Sequence, residues 1–444
     1  MSSSTVAQPS TDPVAETRPV DGQDRAGASP QRILVLASAF PYPPSNGYAL
    51  RVWAVLRCLA AEGCSVDLIC FGDPAATERY QDNVAAVCRV QVVRHTNASL
   101  SGSLNLARRI RALLAGRPYS AVGSRSKEMT VRVGKLLDAG CVDVVWVEET
   151  NLLENLPIGS RTPVIVDHHN VEHLLLERYV AHAENWMRGM YARLEARIVR
   201  RWEIQACAQA ASVLVCSRHD QSAFLKLGAI APVIVAPNVI DSCDYDLGSH
   251  EETNAVLYSG GMDWYPNRDA VEYFATEILP HLKTRVPGVR FVVAGRSPAR
   301  NFRDRIQSIA EVEFTGTVPD MRTEILKASV CVVPLRIGSG TRLKILEAAA
   351  SGKGIVSTSI GAEGLEFIPG EEILLADHPA QFADAVARLL HDTELRRKMG
   401  NAARQRVQRN YDMNTLRAAL RQALSHVNLT ASGRRRAAPQ ESRA

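Results

Sequence analysis

The sequence predicts an α/β protein of two doubly wound, Rossmann-like domains with parallel sheets, facing each other across a central cleft. Three observations predict it. Short β-branched runs alternate with helical patterns along most of the 444 residues, and strand, helix, strand at this spacing makes right-handed crossovers and parallel sheets. The alternation breaks once, at the polar stretch DSCDYDLGSHEETN (241–254), which reads as a linker. Each side of the break runs to roughly 160–210 residues, a usual size for one domain.

The elements follow in order. ILVLA (33–37) is an apolar run of buried-strand type, and Val52, Leu56, Leu59 and Ala60 then recur on one helical face. Gly63 stops that helix. Strand runs follow at 65–71, 90–94, 142–148, 163–167, 212–216 and 233–236. Beyond the linker come 255–260, 291–295, 312–316, 329–334 and 354–358, with a helical pattern at Val271, Phe274, Ala275 and Ile278. The expected organisation is a tail (1–30), a first domain (31–245), a second domain (252–412), a last helix (413–427) returning toward the first domain, and a basic tail (428–444). Both tails have too few apolar residues to offset the entropy of ordering.

Composition narrows the function. Hydrophobic residues at 46% and charged ones at 22% are ordinary for a globular chain. No run approaches a bilayer span, and residues 1–30 lack the apolar core of a secretory signal. The nine scattered cysteines form no CxxC pair, which fits free thiols in a reducing cytoplasm. A balance of 52 basic to 47 acidic residues gives +5, too mild to argue for nucleic acid.

The most informative segment is PLRIGSGTRLKILEAAASGKGIVST (334–358), which reads strand, Gly-rich turn, helix, Gly stop, strand. Gly338, Ser339, Gly340 and Thr341 precede a helix start, where backbone N–H groups and small residues suit a phosphate. Arg342 and Lys344 place cations in the first turn, against the helix dipole. A bound diphosphate would favour that arrangement, and Glu347 could then accept from ribose hydroxyls. The bland alternative is a solvated helix start with a Lys344–Glu347 pair. Neither GxxxxGK[ST] nor GxGxxG is present, which disfavours ATPase and dehydrogenase readings. His169 or its neighbour His168 ends the 163–167 strand, where open α/β sheets carry reactive groups.

These residues resemble the nucleotide-sugar signature of family 4 glycosyltransferases of the GT-B fold. The likeness extends in order through PYPPSNGYALR (41–51), VIVDHHNVE (164–172), SVLVCSRHD (212–220), APNVID (236–241), YSGGMDWYPNRDAVEYFATEILP (258–280) and the stretch 291–320. The resemblance implies a first domain that binds a hydroxyl acceptor and a second that binds a nucleotide diphosphate sugar. It implies a retaining transfer in cell-surface polysaccharide or glycolipid synthesis, in the cytoplasm or at the inner face of the cytoplasmic membrane. No cofactor is expected, and no metal is needed if Arg342, Lys344 and helix-terminal N–H groups neutralise the leaving diphosphate, since the sequence offers no Asp-rich pair for one. His169 would face the donor sugar as a neutral imidazole. Gly47, Gly260, Gly261 and Arg268 would approach the donor, and Glu363 or Glu366 the nucleotide. Apart from the resemblance, Glu148 and Glu149 end the strand VDVVWV and could either orient an acceptor hydroxyl or serve as helix N-terminal charges. The family often carries two glutamates around the signature; Glu347 matches the second, but Ser339 stands at the first.

Two basic amphipathic stretches remain, LNLARRIRALLAGR (104–117) and NWMRGMYARLEARIVRRW (185–202). They suit either an ordinary surface or peripheral contact with anionic membrane and a lipid-linked acceptor. Two rival functions share the fold: a sugar-nucleotide epimerase, or a silent binding partner of a polysaccharide assembly complex.

Overall fold

The computed structural model describes residues 31–95, 102–182, 185–245, 253–296 and 298–436. Residues 1–30, half of the expected linker and the last eight positions lie outside that set. The chain forms two parallel sheets. The first runs β1 (Arg32–Ala37), β2 (Ser65–Phe71), β3 (Arg89–Val93), β4 (Val144–Glu148), β5 (Val164–His168), β6 (Ser212–Val215) and β7 (Val233–Val235). Its spatial order is 3-2-1-4-5-6-7. The second runs β8 (Thr253–Ser259), β9 (Arg290–Ala294), β10 (Val312–Gly316), β11 (Ala328–Val333), β12 (Gly354–Ser357) and β13 (Leu374–Leu375), in the order 10-9-8-11-12-13. All of the ladders are parallel. Each sheet thus reverses direction between its first and fourth strands, the topology of a doubly wound domain.

The strands are continuous apolar runs because helices cover both sheet faces. Ile33, Leu34, Val35 and Leu36 are all fully buried, split between a core on one face with Val52, Val55 and Leu56 and a core on the other with Val145 and Val147. The helix Gly47–Ala61 starts where Asn46 caps it, its side chain accepting from Ala49 N–H. In the second half the predicted pattern at Val271, Phe274, Ala275 and Ile278 is buried, but it is not one α-helix. An α-helix (Tyr265–Tyr273) passes through a π-helical turn (Phe274–Ile278) into a further helix (Leu279–Arg285). Pro280 lacks the N–H that the α ladder needs, and the wider turn absorbs the break.

The last helix, Met413–Arg436, lays Leu416, Leu420, Ala423 and Leu424 into the core of the first sheet. It continues past 427, so the tail expected from 428 begins no earlier than 437. The helix is nucleated where Leu416, Leu420 and Leu424 anchor its apolar face, and each further residue then adds one backbone hydrogen bond. Two-residue β13 was too short to show as a periodic run. None of the nine cysteines is in a disulfide. Among the described residues no helix is long and apolar enough to cross a membrane.

Candidate active site

The strand order reverses between β1 and β4 in one sheet and between β8 and β11 in the other. Ligands of open parallel sheets bind beyond the carboxyl ends of such strands. Gly47 follows β1, Glu148 ends β4, Gly260 and Gly261 follow β8, and Gly338 to Thr341 follow β11. Topology therefore brings segments more than 250 residues apart in sequence to one cleft.

The signature loop is gripped by the first half of the chain. Ser339 Oγ accepts from Val171 N–H at 2.9 Å, and Asn238 Nδ2 donates to Thr341 Oγ1 at 2.8 Å. Arg178 donates to the Gly338 carbonyl and clasps both oxygens of Glu363, at 2.6 and 2.7 Å. Gly340 has φ +71°, and a Cβ there would strike the His169 carbonyl oxygen. Only glycine permits that approach. On the other side of the loop, a Cβ on Gly47 would lie 3.3 Å from Leu343.

The helix Leu343–Ala350 follows, and its capping residue Arg342 offers no side-chain acceptor. Lys344 Nζ lies 3.1 Å from Asn267 Oδ1 and 3.9 Å from the centre of the Tyr258 ring. A Cβ on Gly260 would meet that same Nζ at 2.9 Å. No carboxylate forms an ion pair with Lys344 among the described residues, so the Lys344–Glu347 pair of the bland alternative does not form, although the Glu347 charge still acts on the ammonium. Burial, reinforced by Arg342, lowers the ammonium to a pKa of about 7. Glu347 instead accepts from Tyr245 Oη at 3.3 Å, and burial raises its carboxyl to about 7.

Arg342 departs from the expectation of a first-turn cation aimed at phosphate. Its guanidinium turns back under the loop, bonding the carbonyls of Ser339, Gly340 and Ile360. It is 8% exposed, and burial lowers its pKa to about 10. Arg268 is likewise turned onto backbone, donating to the Met262 and Asp263 carbonyls. Glu363 is tied to Arg178, whereas Glu366 is exposed and pairs with Arg218 at 3.1 Å.

The facing wall is acidic. His169 Nε2 lies 2.7 Å from Glu148 Oε2, and its Nδ1 lies 4.0 Å from Glu149 Oε1. The Tyr48 ring packs against the imidazole at 5.2 Å. Burial alone would lower the His169 pKa, but the hydrogen bond and charge of Glu148, with Asp167 and Glu149, hold it above the ordinary value. Burial and the Asp167 charge in turn raise the Glu148 carboxyl. His168 points elsewhere. Its ring meets Phe224 at 4.3 Å, and burial lowers its pKa to about 4. Of the two adjacent histidines, His169 is the one in the cleft. Glu149 has φ +75° and accepts from Ser38 Oγ, a strained backbone of the sort functional sites retain.

Several site residues were not legible in the sequence. Arg51 forms a buried bidentate pair with Asp167, at 2.6 and 3.1 Å, and bonds the Ala236 carbonyl and Asn238. Glu172 sits beside Asn170 and near Glu149, and burial raises it to about 7. Asn267 and Tyr258 hold Lys344. Arg51 and Asn267 lie inside PYPPSNGYALR and WYPNRD, but nothing in those strings names their partners.

Glu148, Asp167 and His169 bring ligand atoms within 4.8 Å of one another, a spacing that could hold a cation. Both Asp167 oxygens already face Arg51, and Glu148 serves Trp146 Nε1 and His169. A guanidinium on one of the three carboxylate or imidazole ligands opposes a metal there.

Comparison with known proteins bears on the family and the fold. Residues 46–239 match the glycosyl transferase 4-like domain, and residues 253–392 match glycosyl transferases group 1. A 44.6 kDa protein of the cps region of Klebsiella pneumoniae is 20% identical over 388 residues, covering 86% of this chain and 96% of the relative. Sucrose-phosphate synthase from Thermosynechococcus elongatus superposes with a TM-score of 0.63 at 19% identity, over 90% of this chain and all of that one. The Anabaena HepE structure in complex with UDP-glucose gives 0.61 at 13% identity, over 88% of this chain and 99% of that one. With both halves matched in order and the GT-B architecture in place, the chain belongs to the group 1, family 4 type glycosyltransferases.

Proposed function

We propose that the chain moves a sugar from a nucleotide diphosphate sugar to a hydroxyl acceptor, with the anomeric configuration retained. Residues 31–245 hold the acceptor and residues 252–412 the donor. The observation that carries this is Lys344, a half-buried ammonium with no carboxylate at ion-pair distance among the described residues, held by Asn267 and Tyr258 beside Gly260 at the reversal point of the second sheet. A cation drawn out of water without a close counter-charge is costly, and a diphosphate in the adjoining space supplies that charge.

The remaining parts fit around it. Small residues at Gly260, Gly261 and Gly338 to Thr341 let phosphate oxygens reach backbone N–H groups at the helix start. Arg342 acts through the loop whose carbonyls it ties. Glu347 is placed for ribose hydroxyls, and Glu366 for the nucleotide beyond. His169 is pinned at Nε2 by Glu148, so Nδ1–H is the donor left for the sugar. In the transfer, the bond from the anomeric carbon to the diphosphate oxygen breaks and the acceptor oxygen bonds the same face. The acceptor proton leaves to the departing diphosphate. Protein cations meet the growing charge without a metal, at about 3 kcal/mol per well-aimed donor.

The HepE complex with UDP-glucose supports a nucleotide-sugar donor of this class. The Klebsiella relative, a protein of the cps region, supports a place in cell-surface polysaccharide or glycolipid synthesis. The test is a screen of nucleotide diphosphate sugars with saccharide and lipid-linked saccharide acceptors, with the product anomer read by proton NMR and with chelator added. Product of retained configuration in chelator supports the reading. Donor turnover without acceptor would instead favour an epimerase.

A further inference from the structure

The helices Gly102–Leu114 and Trp186–Gln209 adjoin on the first half of the chain. Arg109 lies 5.0 Å from the Tyr191 ring, and Tyr119 N–H donates to Glu195 beneath. Each helix leaves an apolar stripe in solvent at positions i, i+4 and i+8. On the first these are Leu106, Ile110 and Leu114, 60%, 49% and 85% exposed. On the second they are Trp186, Met190 and Leu194, 73%, 52% and 42% exposed. Single exposed apolar residues need no explanation, but two aligned stripes on neighbouring helices do.

The exposed charges carried by the two helices have one sign, with Glu177 of the helix Glu172–Ala181 beside Arg193 and Arg197. The first helix contains no Asp or Glu. The acids of the second, Glu195 and Glu203, are 5% and 0% exposed. Exposed charge on these two helices is therefore arginine: Arg109 and Arg111 on one, and Arg188, Arg193, Arg197, Arg200 and Arg201 on the other. A solubilising surface intersperses both signs. Apolar stripes flanked by cations alone are what a helix needs to lie in the plane of an anionic bilayer, with leucine and tryptophan in the acyl boundary and guanidinium groups among the lipid phosphates.

We propose that these two helices form a docking face for an anionic lipid bilayer, which would hold the cleft beside a membrane-borne acceptor. A second copy of the chain fits less well, because a self-complementary interface would bring the seven arginines of these helices against their own equivalents with no exposed acid on either helix to meet them.

The test uses the full chain and sedimentation with vesicles of phosphatidylcholine alone or mixed equally with phosphatidylglycerol. The wild-type chain should pellet with the mixed vesicles, at least tenfold less with neutral ones, and less again in high salt. L106S/I110S/L114S and W186S/M190S/L194S should each lower binding at least tenfold. R188Q/R193Q should lower it about tenfold or more on anionic vesicles, while leaving donor turnover in detergent unchanged. The arginine variant keeps the test decisive should either serine variant misfold. Equal binding to neutral and anionic vesicles, no binding to either, or unchanged binding by R188Q/R193Q would overturn the proposal. So would a wild-type dimer in analytical ultracentrifugation that the serine variants convert to monomer without loss of vesicle binding. Because binding is read without substrate, failure here leaves the glycosyl-transfer reading untouched.

Discussion

The two reversal points of this molecule share a topology and differ in charge. Beyond β8 and β11 the loops offer glycines, a helix start and Lys344. Beyond β1, β4 and β5 they offer Glu148, Glu149, Glu172 and His169. The strand orders 3-2-1-4 and 10-9-8-11 are the same pattern, so the backbone cannot account for the contrast. The loops do, as expected when function is carried by sites placed on a common fold. A cationic, glycine-lined wall suits phosphates, and an acidic wall suits the hydroxyls of a sugar and an acceptor.

The contrast can be broken most severely on the acidic side. Arg51 and Asp167 are 3% and 0% exposed. Asp167→Ala would leave a buried guanidinium unpaired, at a cost of about 3–5 kcal/mol. Urea denaturation followed by circular dichroism should show it, and a loss under 1 kcal/mol would mean that solvent reaches the pair. Next comes His169→Ala, expected to lower kcat by about 2–3 kcal/mol of lost charge-assisted hydrogen bonding with the fold intact. His169→Asn or His169→Gln should recover part of it, since an amide still donates. Full activity in His169→Ala would remove the histidine from the site.

The cationic side makes a prediction in pH. Lys344 titrates near 7 in the free protein and near 10.5 when unfolded. The unfolded chain binds the extra proton between those values, so this group makes the unliganded fold more stable as pH rises from about 7 to 10.5, and adds no slope below 7. A diphosphate needs the ammonium, so its binding takes up a proton above pH 7. Affinity should therefore fall as pH rises above 7, by up to tenfold per unit, and Lys344→Gln should flatten that slope. A wild-type affinity independent of pH from 7 to 9 would contradict the assignment. The smallest effect is expected at the bridge between the walls. Arg178→Ala, which frees Glu363 and the Gly338 carbonyl, should raise the donor KM by about 1 kcal/mol or more, with little change in thermal midpoint. An unchanged KM would show that the bridge does not shape the donor loop.

How much of this was legible follows from range. The apolar runs of β1, β2, β8 and β11 are local signals and were read within two residues. The signature loop was read as a phosphate site from its glycines and helix start, which are also local. The partners of Lys344 were not, because Asn267 is 77 positions away and only the reversal of strand order brings the two together. Arg342 shows the opposite failure. A cation at a helix start reads as a phosphate ligand, but its side chain is long enough to turn back onto the carbonyls of Ser339, Gly340 and Ile360. His169 and His168 are indistinguishable in sequence. The pleat decides between them, sending one ring toward Phe224 and leaving the other in the cleft.

The most direct measurement is isothermal titration of UDP, GDP and ADP, with the matching monophosphates, into the wild-type chain and Lys344→Ala. At least one diphosphate should bind the wild type more tightly than its monophosphate, and should bind Lys344→Ala at least tenfold more weakly, for about 1.5–3 kcal/mol of charge-assisted bonding. A diphosphate that binds both proteins equally, or a wild type that binds none of the three, would contradict the placement of the donor phosphates at this loop.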